Sequence, residues 1–398
     1  MQYRIDEKSK NKLSALGFGC MRFPRNLAQT DVKKTERLIM KAIENGVNYF
    51  DCAYIYPGSE ETLGAVLDKN DARGKVYIAT KLPLMKCSSY GDFDKLFFEQ
   101  LKKLRTDHID YYLMHNLSDM ALWRELCGIG AEKWIAEKKA SGQISQIGFS
   151  FHGTQNEFTE LLDAYNWDFC QIQYNYININ YQAGLSGLRK AADMGLPVIV
   201  MEPLLGGKLA GGLPKKAKEL FLSANADLTP AAWALRWLWN QKEVTVVLSG
   251  MNDDVQLDEN IKVAAASRPD MLTKEERDIF SKVGKVFNEF YKIPCTGCNY
   301  CIPCPKNVNI PGCFAAYNMS YAVGMISAIQ QYATSTGGFS PQKDYSPGKC
   351  AKCGICEKKC PQHIQISKEL EKVKKRMEPL LYKAIKAIMT GRAKKTKR

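Results

Sequence analysis

Eight of the chain's 14 cysteines fall in two tight runs, Cys295, Cys298, Cys301 and Cys304, and Cys350, Cys353, Cys356 and Cys360. Repeated thiols three residues apart read as metal ligands. Disulfides would need matched Cα separations and an oxidising compartment. The other six, Cys20, Cys52, Cys87, Cys127, Cys170 and Cys313, are scattered and read as small buried hydrophobes. A second set of groups can move protons. Asp51 and Lys81 are 30 residues apart, Lys81 and His115 34, and Tyr56 follows Asp51 by five. A tyrosine hydroxyl ionises near pH ~10 in water, and a neighbouring ammonium favours the phenolate. Lys81, oriented by Asp51, is therefore expected to lower the Tyr56 pKa. That would make Tyr56 a general acid toward a carbonyl oxygen near neutral pH. His115 can donate a hydrogen bond to the same oxygen.

These four groups need elements that bring them to one place. From Ala15 to about residue 266, short β-branched runs alternate with helical patterns. The runs are Leu16–Gly19, Asn48–Asp51, Val76–Lys81, Ile109–His115, Ile144–Ser150, Phe169–Tyr174, Pro197–Glu202 and Val244–Ser249. Near-continuous apolar strands are buried on both faces, as in parallel sheets. Eight strand–helix units in roughly 250 residues predict an α/β fold, a (β/α)8 TIM barrel. A doubly wound sheet would alternate too, but no G-x-G-x-x-G follows the first run. In such a barrel the catalytic groups sit at the C-terminal ends of strands. Asp51, Lys81 and His115 end the second, third and fourth, so with Tyr56 they share one rim.

The first dozen residues are expected to form a hairpin at the barrel's bottom. Residues 273–291 read as one more amphipathic helix, and after Pro294 the composition turns to Cys, Pro and Gly. The expected organisation is a barrel over 1–290, a small α-rich domain with the cysteine runs over 291–375, and a basic tail over 376–398. Within the second domain, Gly312–Gln331 reads as one helix, and a helix through Ile366, Leu370, Val373 and Met377 is expected to kink at Pro379.

The formal charge is +14, but residues 367–398 hold 12 Lys/Arg against 3 Glu, so +9 lies there and +5 in the other 366 residues. The tail has no aromatic but Tyr382, so nucleic-acid binding is not expected. An acidic redox partner docking near it is. No apolar run is long enough to span a bilayer; Leu196–Leu205 is short and carries Glu202. The N-terminal MQYRIDEKSK has no apolar core or cleavage site, so a cytoplasmic protein is expected.

Residues 13–266 resemble the aldo-keto reductase family. The resemblance rests on LGFGCMRF, NYFDCAYIY, IATKLP, DHIDYYLMHN, QIGFSFH, QIQYNYIN and VVLSGMNDDVQLDEN, in that order. It implies the barrel, an extended NAD(P)H cofactor, and a catalytic tetrad of Asp51, Tyr56, Lys81 and His115. Hydride would pass to a carbonyl substrate while Tyr56 supplies the proton. It also implies that Ser150, His152 and Gln173 hold the nicotinamide amide and that the ring stacks on Tyr174. Pro203, Leu204, Gly206, Gly207 and Leu209 would wrap the pyrophosphate, and Ser249, Gly250, Met251, Glu259 and Asn260 would face the adenosine. NADP-preferring members place Lys or Arg after the eighth strand to meet a 2′-phosphate. Met251, Asn252, Asp253 and Asp254 stand there instead, which favours NADH. The loops Met21–Pro24 and Met120–Trp123, with Tyr54, are expected to give the substrate pocket an apolar lining.

The run Cys350-x2-Cys353-x2-Cys356-x3-Cys360-Pro361 matches the bacterial ferredoxin ligand pattern, and the first run is one residue shorter before Cys304. This part resembles two-cluster ferredoxins, which implies two [4Fe–4S] clusters on eight thiolates. Structural zinc would use two separated pairs. Cys313 is spare, and His363 is expected at the surface. At about −2 per oxidised cluster, two clusters would lower the net charge to about +10. A flavin could convert two-electron into one-electron transfer, but the sequence shows no flavin motif. Two functions follow from these readings. One is an NAD(P)H-dependent oxidoreductase whose clusters exchange electrons with a ferredoxin- or flavodoxin-like partner. The other is an electron-transfer or regulatory module whose barrel binds nucleotide without turnover.

Overall fold

The computed structural model describes residues 1–382 apart from 27, 28, 208, 290, 291, 294, 296–300, 323, 339–343, 361–363 and 381. The chain forms two compact units, Met1–Gly211 with Asn225–Arg277, and Gly212–Ala224 with Asp278–Arg398. Among the described residues no helix is long and apolar enough to cross a membrane.

The first unit opens with an antiparallel hairpin of β1 (Tyr3–Ile5) and β2 (Lys12–Ser14). After β3 (Leu16–Gly19), the two-residue strands β4 (Arg25–Asn26) and β5 (Gln29–Thr30) make a small ribbon. Then come β6 (Tyr49–Asp51), β7 (Tyr77–Leu82), β8 (Ile109–Met114), β9 (Ile144–Phe151), β10 (Phe169–Gln173), β11 (Val198–Met201) and β12 (Val244–Ser249). These seven and β3 close into a parallel barrel, with β12 pairing back onto β3. Successive side chains alternate between its two faces. Tyr49, Ala79, Tyr111, Leu113, Phe169, Ile199, Val246 and Leu248 fill the interior. Phe50, Ile78, Tyr112, Phe149, Ile172 and Val200 pack outward with the helices. Both faces are dry, which is why the strands read as unbroken apolar runs.

The helices lie outside the strands. α1 (Val32–Glu44) is capped by Asp31, whose carboxylate accepts from the Lys34 N–H, and buries Leu38, Ile39 and Ala42. α2 (Ser59–Lys69) follows the Tyr56 loop and packs on α3 (Tyr90–Leu104). α4 (Met120–Gly128), α5 (Ala131–Ala140), α6 (Gln155–Ala164), α7 (Gly184–Asp193), α9 (Pro230–Trp239) and α10 (Asp254–Ala266) complete the unit. α8 (Lys215–Ala224) belongs to the second unit.

In that unit the Phe221 ring of α8 packs on Phe280 of α11 (Lys274–Glu289), centroids 5.7 Å apart. α12 (Ile310–Ala322), α13 (Met325–Thr336) and α15 (Ile366–Met377) bury Phe314, Tyr332, Leu370, Val373 and Met377 in a small core. The short α14 (Ile355–Lys359) carries Cys356 and is capped at its end by Cys360. Two helices stand where one was expected over 312–331, because Gly324 takes φ = 117°, outside helical geometry. α15 does not kink at Pro379; it stops two residues earlier, at Met377.

Gly64 lets α2 approach α3. A Cβ there would lie 2.4 Å from the Lys103 carbonyl oxygen and 2.6 Å from the Leu104 backbone, neither of which can turn aside. Gly64→Ala is expected to destabilise the barrel by about 2 kcal/mol, as overpacked sites do. Thermal unfolding followed by near-UV circular dichroism checks this against Gly74→Ala, where nothing lies within 4 Å and no loss is expected.

Candidate active site

Asp51 closes β6 and Lys81 sits near the end of β7, the neighbouring strand, with Asp51 in register with Ala79. Residues 79 and 81 share a parity, so the Lys81 stem rises along the barrel wall toward Asp51. Nζ of Lys81 donates to Asp51 Oδ1 at 2.6 Å and to the Cys52 carbonyl at 2.7 Å. Only 1% of Lys81 and 4% of Asp51 are exposed. Tyr56 is held in a tight turn: its N–H donates to the Ala53 carbonyl, and its own carbonyl accepts from Ser59. The Lys81 ammonium lies 5.3 Å from the centre of the Tyr56 ring, within cation–π range. His115 follows β8, its ring perpendicular to that of Tyr56 with centroids 6.1 Å apart. The structure thus brings together all four groups expected on the rim.

Their proton affinities follow from this burial. For Lys81, desolvation acts to remove the proton, but Asp51 and Tyr56 together reverse it and the ammonium is held above its ordinary value. Burial pushes the Asp51 carboxyl up, and Lys81 opposes it. The His115 imidazole is brought down to about 3 by burial first, then by the charge of Lys81 and by His152. Tyr56 departs from expectation. Burial raises its pKa by more than Lys81 lowers it, so the net shift is upward. At neutral pH the site holds a phenol and a neutral imidazole.

On β10, Gln173 points into the barrel, and among the described residues its buried Nε2 has no hydrogen-bond partner. On the adjacent β9, Ser150 accepts from the Asn116 N–H at 2.8 Å, which leaves its hydroxyl hydrogen free to donate. An orphaned amide donor on one strand and a hydroxyl donor on its neighbour suit a ligand carboxamide. The His152 Nδ1 lies 3.2 Å from Gln182 Oε1.

Tyr174 does not come to this rim. The pleat turns it outward, where its hydroxyl donates to Gln241 at 3.1 Å and its ring packs on Trp237. Met201 turns inward instead, its sulfur 3.6 Å from Gln171 Nε2. Counting parity along β11 would have found it.

The loop after β11 carries positive φ at Glu202, Leu205, Gly206 and Gly207. Pro203 and Leu209 are buried, Leu204 is half-buried, and both glycines are exposed, so backbone amides there can meet an anion. Arg22, just after β3, donates to the Gly206 carbonyl at 3.0 Å and lies beside Gly250. It is a cation in the expected pyrophosphate path, marked in the sequence only by its place three residues after LGFG. At the expected adenosine end, Asn260 donates to the Ser249 hydroxyl at 2.9 Å, Met251 is core and Glu259 is half-buried. The acids after β12 are engaged. Asp253 accepts from the Gln256 N–H and side chain, and Asp254 pairs with Arg37 at 2.5 Å. The preference for NADH loses its basis, because neither carboxylate is free for a ribose.

In the second unit, Cys304 of the first run and Cys350, Cys353 and Cys356 of the second line one cavity. Lys352 and Gly354 take φ of 55° and 72°, wrapping the backbone around it, and the Lys352 N–H points at the Cys350 sulfur at 3.4 Å. Concave N–H loops with convergent sulfurs suit an anionic iron–sulfur cluster. Cys295, Cys301 and Cys360 pack against the same small core. Cys298 and His363 lie outside the described residues.

Comparison with known proteins places both parts. Residues 15–276 match the model of the "Aldo/keto reductase family". The chain belongs to the aldo-keto reductase family. Residues 294–370 match the "4Fe-4S dicluster domain", so this aldo-keto reductase carries a C-terminal iron–sulfur domain. An uncharacterized oxidoreductase of Bacillus subtilis is 27% identical over 73% of this chain and 99% of its own length. L-glyceraldehyde 3-phosphate reductase of Escherichia coli is 26% identical over 66% of this chain and 87% of its own. The solved holo structure of a Bacillus halodurans aldo-keto reductase aligns with a TM-score of 0.59 at 25% identity, covering 71% of this chain and 96% of that one.

The depressed His115 pKa has a consequence for stability. Between pH about 3 and 6.5 the unfolded chain binds a proton there that the folded chain refuses. Stability through this residue therefore falls as pH drops below 6.5. Unfolding midpoints at pH 7 and pH 5 should differ less for His115→Asn than for the wild type.

Proposed function

We propose that this protein is a cytoplasmic NAD(P)H-dependent carbonyl reductase with Tyr56 as general acid. In the same reading, the cysteine runs of its second unit hold two [4Fe–4S] clusters that exchange single electrons with a partner protein. The observation that carries the first part is the packing of Lys81 between Asp51 and Tyr56, with a neutral His115 alongside. Ser150 and Gln173 offer donors to a nicotinamide carboxamide, and the β11 loop with Arg22 offers donors to a pyrophosphate. The nicotinamide, when bound, supplies the hydride. Tyr56 then gives its phenolic proton to the carbonyl oxygen as negative charge builds on it. Lys81 stabilises the phenolate as it forms, Asp51 keeps Lys81 in place, and the His115 N–H orients the carbonyl.

Removing the acid tests this reading. In anaerobic assays against an aldehyde panel, Tyr56→Phe should lower kcat by about 10²–10⁴-fold, the usual loss for a positioned acid. Unchanged turnover would sink the proposal. The active form is the protonated phenol, whose pKa is raised. The wild-type rate should therefore hold through neutral pH and past the ordinary tyrosine pKa of ~10, because burial shifts Tyr56 upward. The shared cavity makes a second prediction. Cys304→Ser should alter the same electron paramagnetic resonance signal as Cys350→Ser, and a different one from Cys295→Ser.

A further inference from the structure

Exposed lysines line the cavity of Cys304, Cys350, Cys353 and Cys356 or adjoin its cysteines in the chain. Lys306 and Lys352 line it. Lys349 precedes Cys350, and Lys358 and Lys359 stand between Cys356 and Cys360 on α14. The nearby acids are already engaged. Glu371 pairs with Lys352, Glu369 pairs with Lys372 at 2.7 Å, and Glu357 accepts from the Ser367 N–H and hydroxyl. Among the described residues, Lys306, Lys349, Lys358 and Lys359 have no carboxylate partner. A cluster with about −2 charge and the Glu357 carboxylate, hydrogen-bonded but still ionised, would not together neutralise four unpaired ammonium groups, so the rim stays positive.

The same rim is where the cavity meets solvent. Cys353 is exposed, whereas Cys304, Cys350 and Cys356 are half-buried. Cys353 is flanked by Lys352 and Gly354, with Ala351 beside them, so little side-chain bulk apart from the lysines keeps another protein from this sulfur. Close approach favours electron transfer, and a ring of one sign of charge steers an oppositely charged protein onto it.

We propose that this lysine rim, rather than the basic tail, is the docking face for a one-electron carrier protein with an acidic surface. The inference rests on the reading that the thiolates hold a redox-active cluster. One electron passes from the reduced protein to the oxidised carrier, and no bond forms or breaks.

The test uses the full chain purified anaerobically, reduced with dithionite and desalted. It is mixed with oxidised flavodoxin as the acidic carrier or with cytochrome c as a basic one. Binding of oxidised flavodoxin is measured in parallel by calorimetry. Two triple variants are compared, Lys306→Glu/Lys349→Glu/Lys358→Glu on the rim and Lys394→Glu/Lys395→Glu/Lys397→Glu in the tail. The rim variant should lower the flavodoxin rate at low salt by about tenfold or more, weaken binding in step, and leave the cytochrome c rate equal or higher. The wild-type flavodoxin rate should fall as salt rises, and the tail variant should stay within about twofold of wild type. The proposal is overturned if the tail variant takes the loss, if the rim variant matches wild type, or if both carriers slow alike, since the lysines would then act on cluster potential. Clusters that dithionite cannot reduce would overturn the redox reading, and the docking face with it. Clusters that reduce while flavodoxin neither binds nor accepts electrons would overturn the docking face alone.

Discussion

A lysine ammonium with 1% of its surface exposed sets the terms for the barrel rim. Burying such a charge alone costs several kcal/mol, and removing one partner of a buried pair typically costs about 3–5 kcal/mol. Lys81 is tolerated because Asp51 and the Cys52 carbonyl both lie within 2.7 Å. That geometry depends on parallel register. A one-residue slip between β6 and β7 would turn either Asp51 or Lys81 toward the helices and leave the other unpaired. The opposite face of β7 is held as firmly. The Thr80 hydroxyl donates to buried Glu60 at 2.6 Å. Gln100 bridges Glu60, the Lys81 carbonyl and the Tyr112 hydroxyl. The strand carrying the ammonium is thus braced through α2 and α3, and the Gly64 contact between those helices belongs to the same support.

The second unit meets a different constraint. Its cysteines must keep sulfur accessible while the backbone stays compact. Half-burial against one small core does this, with αL residues such as Lys352 and Gly354 turning N–H groups inward. Cluster-bound thiolates would also bring negative charge to an exposed place, and exposed lysines stand close to these cysteines. A count of basic residues along the chain does not show this, because the tail dominates the total and hides the rim.

What the sequence made legible were features tied to strict periods or spacings. Eight apolar runs at βα intervals gave the barrel, strand ends marked the four rim groups that the structure brings together, and Cys-x2-Cys spacing marked the iron–sulfur domain. Features that depend on which way a side chain points were harder to read. The family resemblance implied Tyr174 as a stacking platform, yet pleat parity sends it to Trp237 and puts Met201 inside. Asp253 and Asp254 looked free for a ribose, but one is a helix cap and the other an ion-pair partner. Gly324 split a segment whose apolar pattern reads as continuous helix, because its backbone and not its pattern decides. Cys304 and the Cys350 run meet only through the fold, across more than 40 residues of chain.

The upward shift of Tyr56 changes what Lys81 would do in the proposed reaction. A lysine that lowered the resting pKa would raise the fraction of phenolate and so remove the proton before the substrate arrived. Here burial keeps the phenol intact, and the ammonium 5.3 Å from the ring acts most strongly only once negative charge appears there. An interaction stronger with the developing charge than with the resting group accelerates the step without stabilising the ground state. The same holds for His115. Kept neutral by burial and by Lys81, it would present an N–H to the carbonyl of the proposed reaction without placing a second positive charge beside the first. Desolvation, which makes the Asp51–Lys81 pair costly to assemble, also keeps both Tyr56 and His115 in the protonation state that the proposed reaction would use.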